Sequence, residues 1–227
     1  MKDLGVTTST GELAAQAAYD RDACSYDSRT ATYQKYRRET VDQLRVRRGD
    51  VVLDVGCGTG LCFGPIRDKI GSSGRVVGID ESAQMIELAA ERTGEREWDN
   101  VTLVESAVQD AEIPGTADAA LFCATHDILQ SRPALDNVFG HLRPGAQVVA
   151  SGGKWAPTWK VALNLYLRSV HEPFVRSFEG FDRPWGLLSD FVEDLTVADV
   201  AFGGGYLAVG RVPSTSRTTG SRATTAA

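Results

Sequence analysis

The chain has 227 residues, 42% hydrophobic, 24% charged and 8% aromatic, with a formal charge of −6 at pH 7. At ~150 residues per domain this is one large domain or two very small ones, long enough to fold without disulfides or metals. The composition excludes collagen, coiled coil and bulk disorder, no apolar run reaches the ~18 residues of a membrane span, and the acidic balance argues against a broad nucleic-acid surface.

The N-terminal stretch MKDLGVTTSTGELAAQ lacks the basic patch and apolar core of a secretory signal, so a cytoplasmic protein is expected. Residues 1–18 read as a flexible tail. Residues 28–48 carry Tyr33, Tyr36, Val41 and Leu44 at helical spacing. Val51 to Val55 is a short β-branched run closed by glycines, hence a buried strand. A helix follows to about Ile70, Arg75 to Asp80 is the next strand, and Ser82 caps a helix through Arg92. Then come a strand over Val101–Val104, a strand over Ala119–Cys123, a helix over Arg132–Leu142 and a strand over Ala146–Ser151. Strands alternating with helices at these spacings indicate βαβ units. Leu195–Phe202 and Tyr206–Val212, joined across Gly203-Gly204-Gly205, predict an antiparallel hairpin. The last residues, 213–227, contain no large apolar side chain and read as a disordered tail. The expected architecture is α/β: a Rossmann-like, doubly wound, mostly parallel seven-stranded sheet with a C-terminal antiparallel hairpin, occupying residues 19–212. Cys24, Cys57, Cys62 and Cys123 follow no ligand spacing and read as free thiols.

The most informative segment is Val52-Leu53-Asp54-Val55-Gly56-Cys57-Gly58-Thr59-Gly60, a buried strand entering a glycine-rich turn that opens a helix. Glycines are needed where the chain turns sharply and a ligand lies against bare backbone. Asp80 stands at the end of the second strand, where a carboxylate accepts from ribose hydroxyls. A dinucleotide fingerprint would need glycine at the position of Leu61. Asp54 would repel a pyrophosphate but attract a sulfonium or an amino group, so a nucleoside ligand with a cationic centre is favoured.

These residues resemble the class I S-adenosylmethionine-dependent methyltransferases. VLDVGCGTG (52–60) is similar to their first motif, GRVVGID (74–80) to their second, and LRPGAQVV (142–149) to the approach to their fifth strand. The resemblance implies that S-adenosylmethionine is the cofactor. It also implies that Gly56, Gly58 and Gly60, with Cys57 and Thr59 between them, line the methionine moiety. Asp80 would hold the ribose, and Glu81 and Met85 would border it and the adenine. Tyr19-Asp20-Arg21-Asp22-Ala23-Cys24-Ser25-Tyr26-Asp27 resembles the entry of the ubiquinone/menaquinone-biosynthesis and phosphatidylethanolamine N-methyltransferase subgroup. There an aromatic segment closes over the cofactor, which would give Tyr19 and Tyr26 that role; as amphipathic packers they would instead staple the N-terminal helix. One departure stands out: Ala107 occupies the place where this subgroup carries an acidic residue for the adenine amino group. The N–H of Val108, or Gln109 or Asp110, is then left to meet the ring.

Methyl transfer from a sulfonium is an in-line displacement, so the protein supplies alignment and exclusion of water. A base is needed only where the acceptor must lose a proton. His126 follows the fourth strand, just beyond Cys123, at the sheet edge where open α/β folds place ligands. It is the candidate base, with hydrogen bonding to backbone or cofactor as the alternative. His141 and His171 sit in amphipathic stretches and read as packing or solvated residues. Asp118, Asp127, Asp136 and Asn137 lack a compact ligand set, and no metal is expected.

Residues 155–190 read as a segment capping the substrate. Trp155, Trp159, Tyr166 and Trp185 are its candidate acceptor residues, interspersed with Lys154, Lys160, Arg168, Arg176 and Arg183. Such a stretch is either plain core or an apolar acceptor pocket with a basic rim. The expected activity is methylation of a small, apolar or amphiphilic acceptor: a lipid headgroup amine, a quinone or a natural product. No nucleic-acid partner is expected, and membrane-surface association and oligomeric state are left open. A non-catalytic S-adenosylmethionine-binding regulator and a nucleic-acid methyltransferase are the alternatives.

Overall fold

The computed structural model describes residues 33–214. The proposed tails, apart from Pro213 and Ser214, lie outside the described residues, as do Tyr19 and Tyr26.

The strands are β1 (Val51–Val55), β2 (Arg75–Asp80), β3 (Val101–Glu105), β4 (Ala117–Cys123), β5 (Leu142–Gly153), β6 (Glu193–Val200) and β7 (Gly205–Arg211). They form one seven-stranded sheet in the order β3-β2-β1-β4-β5-β7-β6. Pairings from β3 through β5 are parallel, and β7 runs antiparallel to both β5 and β6. This is the doubly wound architecture with a C-terminal hairpin that the alternating pattern predicts.

Side chains alternate across a strand, so each strand feeds two cores. On one face Val52, Val76, Leu121 and Val149 meet Val41 and Leu44, together with Phe63, Ile66 and Ile70. These come from the stretch around helix α1 (Gln34–Asp42) and from helix α2 (Phe63–Ile70). Helix α3 (Ala83–Glu95) adds Ala89 to that face and starts at Ser82, whose hydroxyl accepts from the Met85 N–H at 3.4 Å. On the other face Leu53, Val55, Ile79 and Phe122 meet Ala134, Leu135 and Val138. Those three belong to a helix at Arg132–Gly140, which follows the single helical turn α4 (His126–Leu129) and is called α5.

Three expected boundaries move, each for a local reason. The helix foreseen over 28–48 is helical from Gln34 to Asp42, after which buried Gln147 of β5 takes over the backbone. Its amide accepts from the Arg45 N–H at 2.5 Å and donates to the Gln43 carbonyl at 3.1 Å. Arg143-Pro144-Gly145 stays inside β5 rather than forming a turn before it, because the Gly145 N–H bonds the Val212 carbonyl at 3.0 Å. The hairpin turn is carried by Ala201 and Phe202 as well as Gly203, all at positive φ, and Lys160 Nζ holds it by donating to the Phe202 carbonyl at 2.6 Å. A final helix, α6 (Val161–His171), lies between β5 and β6.

Phe63 shows how the fold sets the site. Its ring fills the space that a Cβ on Gly60 would enter at 2.5 Å and a Cβ on Gly78 at 2.6 Å, so it wedges the glycine turn against β2. Phe63→Ala removes a fully buried ring and is expected to cost roughly 3–5 kcal/mol of stability in chemical denaturation.

Candidate active site

The turn after β1 is built from backbone constraints. Gly56 and Gly58 both have positive φ, at 69° and 53°. A Cβ on Gly56 would lie 2.5 Å from Thr125 Cγ2, whereas one on Gly58 would meet nothing within 4 Å. Gly56 therefore lets the turn close onto the loop after β4, and Gly58 leaves bare backbone facing open space. The N–H groups of Gly56 and Cys57 both donate to the Ile79 carbonyl, at 2.8 and 2.9 Å. Asp80 accepts from the Gly58 N–H at 2.8 Å and the Ser82 N–H at 3.0 Å, joining the turn to the start of α3. Burial raises the Asp80 carboxyl above its ordinary value, and these N–H donors pull it partly back. Thr59 contributes its carbonyl, which accepts from Arg92 Nε at 2.7 Å.

Asp54 is the electrostatic centre of the site. It is 1% exposed within β1, and its Oδ2 has no hydrogen-bond partner. Burial drives its pKa well up, Cys123 and Asp80 push it further, and Arg37 opposes them. Cys123, at the end of β4, is drawn down to about 7 by hydrogen bonds from Cys62 and Ser151 and by Arg37. Burial raises the Cys57 thiol within the turn. Three groups able to carry negative charge thus converge where β1, β2 and β4 end. An anionic pyrophosphate would worsen that field and a cation would relieve it.

Two chambers open at this edge. The first, about 570 Å3, is lined by Gly56, Gly58, Asp80, Glu81, Met85 and Val108, among others. Gln109 also faces it. Ala107 is not among its lining residues; it precedes the short turn Val108–Asp110, whose flanking carbonyls on Val108 and Ala111 accept from Asn137 Nδ2 at 2.7 and 2.9 Å. Thr125 lines the chamber too, and its buried Oγ1 has no partner. Asp54 is not among the residues lining this chamber; the orphaned Thr125 oxygen, the open Gly58 backbone and the Asp80 carboxylate, which do line it, suit a nucleoside.

The second chamber, about 420 Å3, is lined largely by apolar and aromatic side chains from α1, α6 and the hairpin, including Tyr33, Tyr36, Leu163, Tyr166, Phe181 and Tyr206. The two chambers share Cys123, Ala124, His126, Phe174 and Val175. Ala124 holds a φ of 62°, a strained conformation for a residue with a Cβ, at the point where they meet. Residues 172–176 line the first chamber. Arg176 ties them down through its ion pair with Glu81 at 2.5 Å and its N–H to Asp127 at 3.0 Å.

His126 stands at this junction, 9% exposed. Its Nε2 lies 2.9 Å from the Glu179 carbonyl, which can only accept, so Nε2 carries the proton. The lone pair then belongs to Nδ1, which is buried without a partner. Of the four aromatics singled out in the sequence, Tyr166 lines the second chamber. Trp155 stacks on Phe178 at 5.1 Å, Trp185 packs on Tyr206 at 5.0 Å, and Trp159 is 76% exposed with Lys160 over its ring; none of these three lines either chamber. His171, read from the sequence as a packing or solvated residue, lines the second chamber. The signal was present: Leu163, Leu167, Val170 and His171 share the i, i+4, i+7, i+8 stripe of α6. Asp118 serves the scaffold, its Oδ2 accepting from the Val51 N–H at 2.8 Å.

Residues 52–145 match the family described as a methyltransferase domain. The demethylmenaquinone methyltransferase of Listeria welshimeri is 27% identical over 180 residues, covering 75% of this chain and 76% of that protein. An aklanonic acid methyltransferase from a Streptomyces species is 33% identical over 144 residues, covering 62% of each. Among solved structures, a Haemonchus contortus phosphoethanolamine N-methyltransferase in complex with phosphomonomethylethanolamine and S-adenosylhomocysteine superposes with a TM-score of 0.68. It is 13% identical, over 91% of this chain and 61% of that one. A SAM-dependent methyltransferase from Aquifex aeolicus superposes with a TM-score of 0.55 at 19% identity, over 78% of this chain and 89% of that one. At these identities the structural likeness is one of fold.

Two substitutions test the first chamber. Asp80→Ala should cost on the order of 2–3 kcal/mol of affinity for S-adenosylhomocysteine, by loss of charge-assisted hydrogen bonds to the ribose; unchanged affinity in calorimetry would remove Asp80 from the site. Asp54→Asn should weaken the same binding yet raise the melting temperature of the free protein by a few degrees. The sign follows from the raised Asp54 pKa: ionising it opposes folding as pH rises above the ordinary carboxyl range. The gain over the parent protein should therefore be larger at pH 8 than at pH 5.

Proposed function

We propose that this chain, a class I S-adenosylmethionine-dependent methyltransferase, methylates a small apolar or amphiphilic acceptor held in the second chamber. The observation that carries the reading is the junction: His126, whose Nδ1 is buried without a partner, lines both a cofactor-sized chamber and an aromatic one.

When bound, S-adenosylmethionine supplies an electrophilic methyl on a sulfonium, whose bonding pair leaves with the sulfur. The chain's own residues do the rest. Asp80 holds the ribose, Glu81, Met85 and Val108 wall the nucleoside, and Gly56, Gly58 and Gly60 with Cys57 and Thr59 shape the methionine end. A cation bound at that end would favour the ionised forms of Asp54 and Cys123, which burial and their mutual repulsion disfavour for Asp54 in the free chain. His126 accepts the acceptor's proton at Nδ1, since Nε2 is held by the Glu179 carbonyl.

The second chamber supports an apolar acceptor on three grounds. Its volume of about 420 Å3 is within the range of sites for drug-sized ligands. Tyr166, from the segment 155–190, and Phe181 and Tyr206 offer ring faces rather than charges. Two of the similar curated proteins are named for demethylmenaquinone and aklanonic acid. Trp155 and Trp185 act one layer behind, as supports for Phe181 and Tyr206. No helix among the described residues is long and apolar enough to cross a membrane.

Incubating the purified chain with deuterated-methyl S-adenosylmethionine and separate lipid and polar extracts tests the reading by mass spectrometry. Label is expected in an apolar product; label confined to polar metabolites, or to nucleic acid, would overturn it. His126→Ala is expected to slow turnover by at least ~100-fold while leaving S-adenosylhomocysteine affinity unchanged.

A further inference from the structure

The reaction so far uses one imidazole, yet the second chamber contains two. His126 and His171 both line it. Both rings sit edge-on to Phe181, with centroids 5.2 and 5.3 Å from its own. His171 lies against β5 where Gly153 has no side chain: a Cβ there would come 2.2 Å from His171 Nε2. The glycine at the end of β5 is thus what admits the second imidazole.

We propose that His126 and His171 form a pair that takes up one proton, received from a phenolic or enolic hydroxyl of the acceptor, and that His171 is a second catalytic residue. This rests on the acceptor reading above. Two imidazoles beside the same ring oppose double protonation, because each charge disfavours the other. Burial and the neighbouring His126 hold the His171 pKa below its ordinary value, so at neutral pH it is a proton acceptor. The other ionisable groups of the chamber wall are Arg37 and Glu39 from α1, Cys123 from β4 and the tyrosines. Burial raises Tyr33 and Tyr206, which therefore stay neutral.

Arg37 and Glu39 stand in the same wall with opposite charges, so the wall does not call for an acceptor that enters as an ammonium ion. A hydroxyl enters neutral. Its O–H bond breaks, the proton goes to an imidazole nitrogen and the electron pair stays on oxygen. That pair, at the oxygen or at the ring carbon it feeds, then takes the methyl as the carbon–sulfur bond breaks. One proton leaves the acceptor for each methyl transferred, and the pair has room for one.

The chain has three histidines, His126, His141 and His171, so Cε1-labelled histidine gives an NMR titration with three signals. With S-adenosylhomocysteine bound, the His171 signal, assigned by its loss in His171→Gln, should titrate below ~6.5 and move upward in His126→Gln. A packing histidine outside the pair would not respond. The second measurement compares 2-naphthol with naphthalene as probes. His171→Gln should weaken 2-naphthol binding roughly fivefold, the worth of one hydrogen bond, and leave naphthalene binding unchanged. Gly153→Ala, which displaces the ring without deleting it, should act in the same direction and serves where the glutamine variant fails to fold. A His171 signal indifferent to His126→Gln, or equal losses for both probes, would overturn the pair. If neither probe binds the parent protein while S-adenosylhomocysteine does, the acceptor reading falls and takes the pair with it.

Discussion

Parallel pairing of β1 with β2 and β4 brings three carboxyl ends to one edge of the sheet, and the rest of the molecule is arranged around that edge. A parallel strand ends in carbonyls and a loop, so each strand delivers one functional group at the same height. β1 delivers the glycine turn, β2 delivers Asp80, and β4 delivers Cys123 and then His126. The interlock is direct: the Ile79 carbonyl holds the turn, and Asp80 holds Gly58 and Ser82. Had any of these strands run the other way, its group would lie a strand length away, on the order of 17 Å.

The electrostatics of this edge are those of a site prepared for a cation. Burying Asp54 with Asp80 and Cys123 nearby opposes folding of the free chain, since each negative group raises the cost of the next. Arg37 offsets only part of that. Stability surrendered at a binding site is usual where the ligand supplies the missing partner. The same argument explains why Leu61 and Asp54 belong together: this turn departs from a dinucleotide fingerprint both in its glycine spacing and in its charge.

The second chamber follows another logic. Its wall is assembled from segments far apart in sequence: α1, the ends of β4 and β5, α6, the stretch to Phe181, and the hairpin. Aromatic rings in this region fall into two layers. Tyr166, Phe181 and Tyr206 face the chamber, while Trp155, Phe178 and Trp185 brace them. Residues 172–176, fixed by Arg176 to Glu81 and Asp127, lie across the first chamber and reach the second through Phe174 and Val175. They are the physical link between the two chambers.

By itself the sequence determined the elements and pointed to the cofactor, because both depend on local regularities. Strand β1, the turn after it, strand β2 and the Ser82 cap are short, contiguous patterns whose backbone demands are visible in residue type: β-branched runs, glycines, a capping hydroxyl. Only the tertiary structure decided the second chamber. Four aromatics at 155–185 look alike in the chain, yet Tyr166 lines the chamber while 60% exposed, Trp155 and Trp185 pack behind it on Phe178 and Tyr206, and Trp159 lies in solvent. His171 reads as a packing or solvated residue because His126 is 45 positions away in the chain (171 minus 126), and nothing local records that both meet Phe181. A site assembled from distant segments has its chemistry in the contacts between them, and contacts across that distance exist only once the sheet has formed.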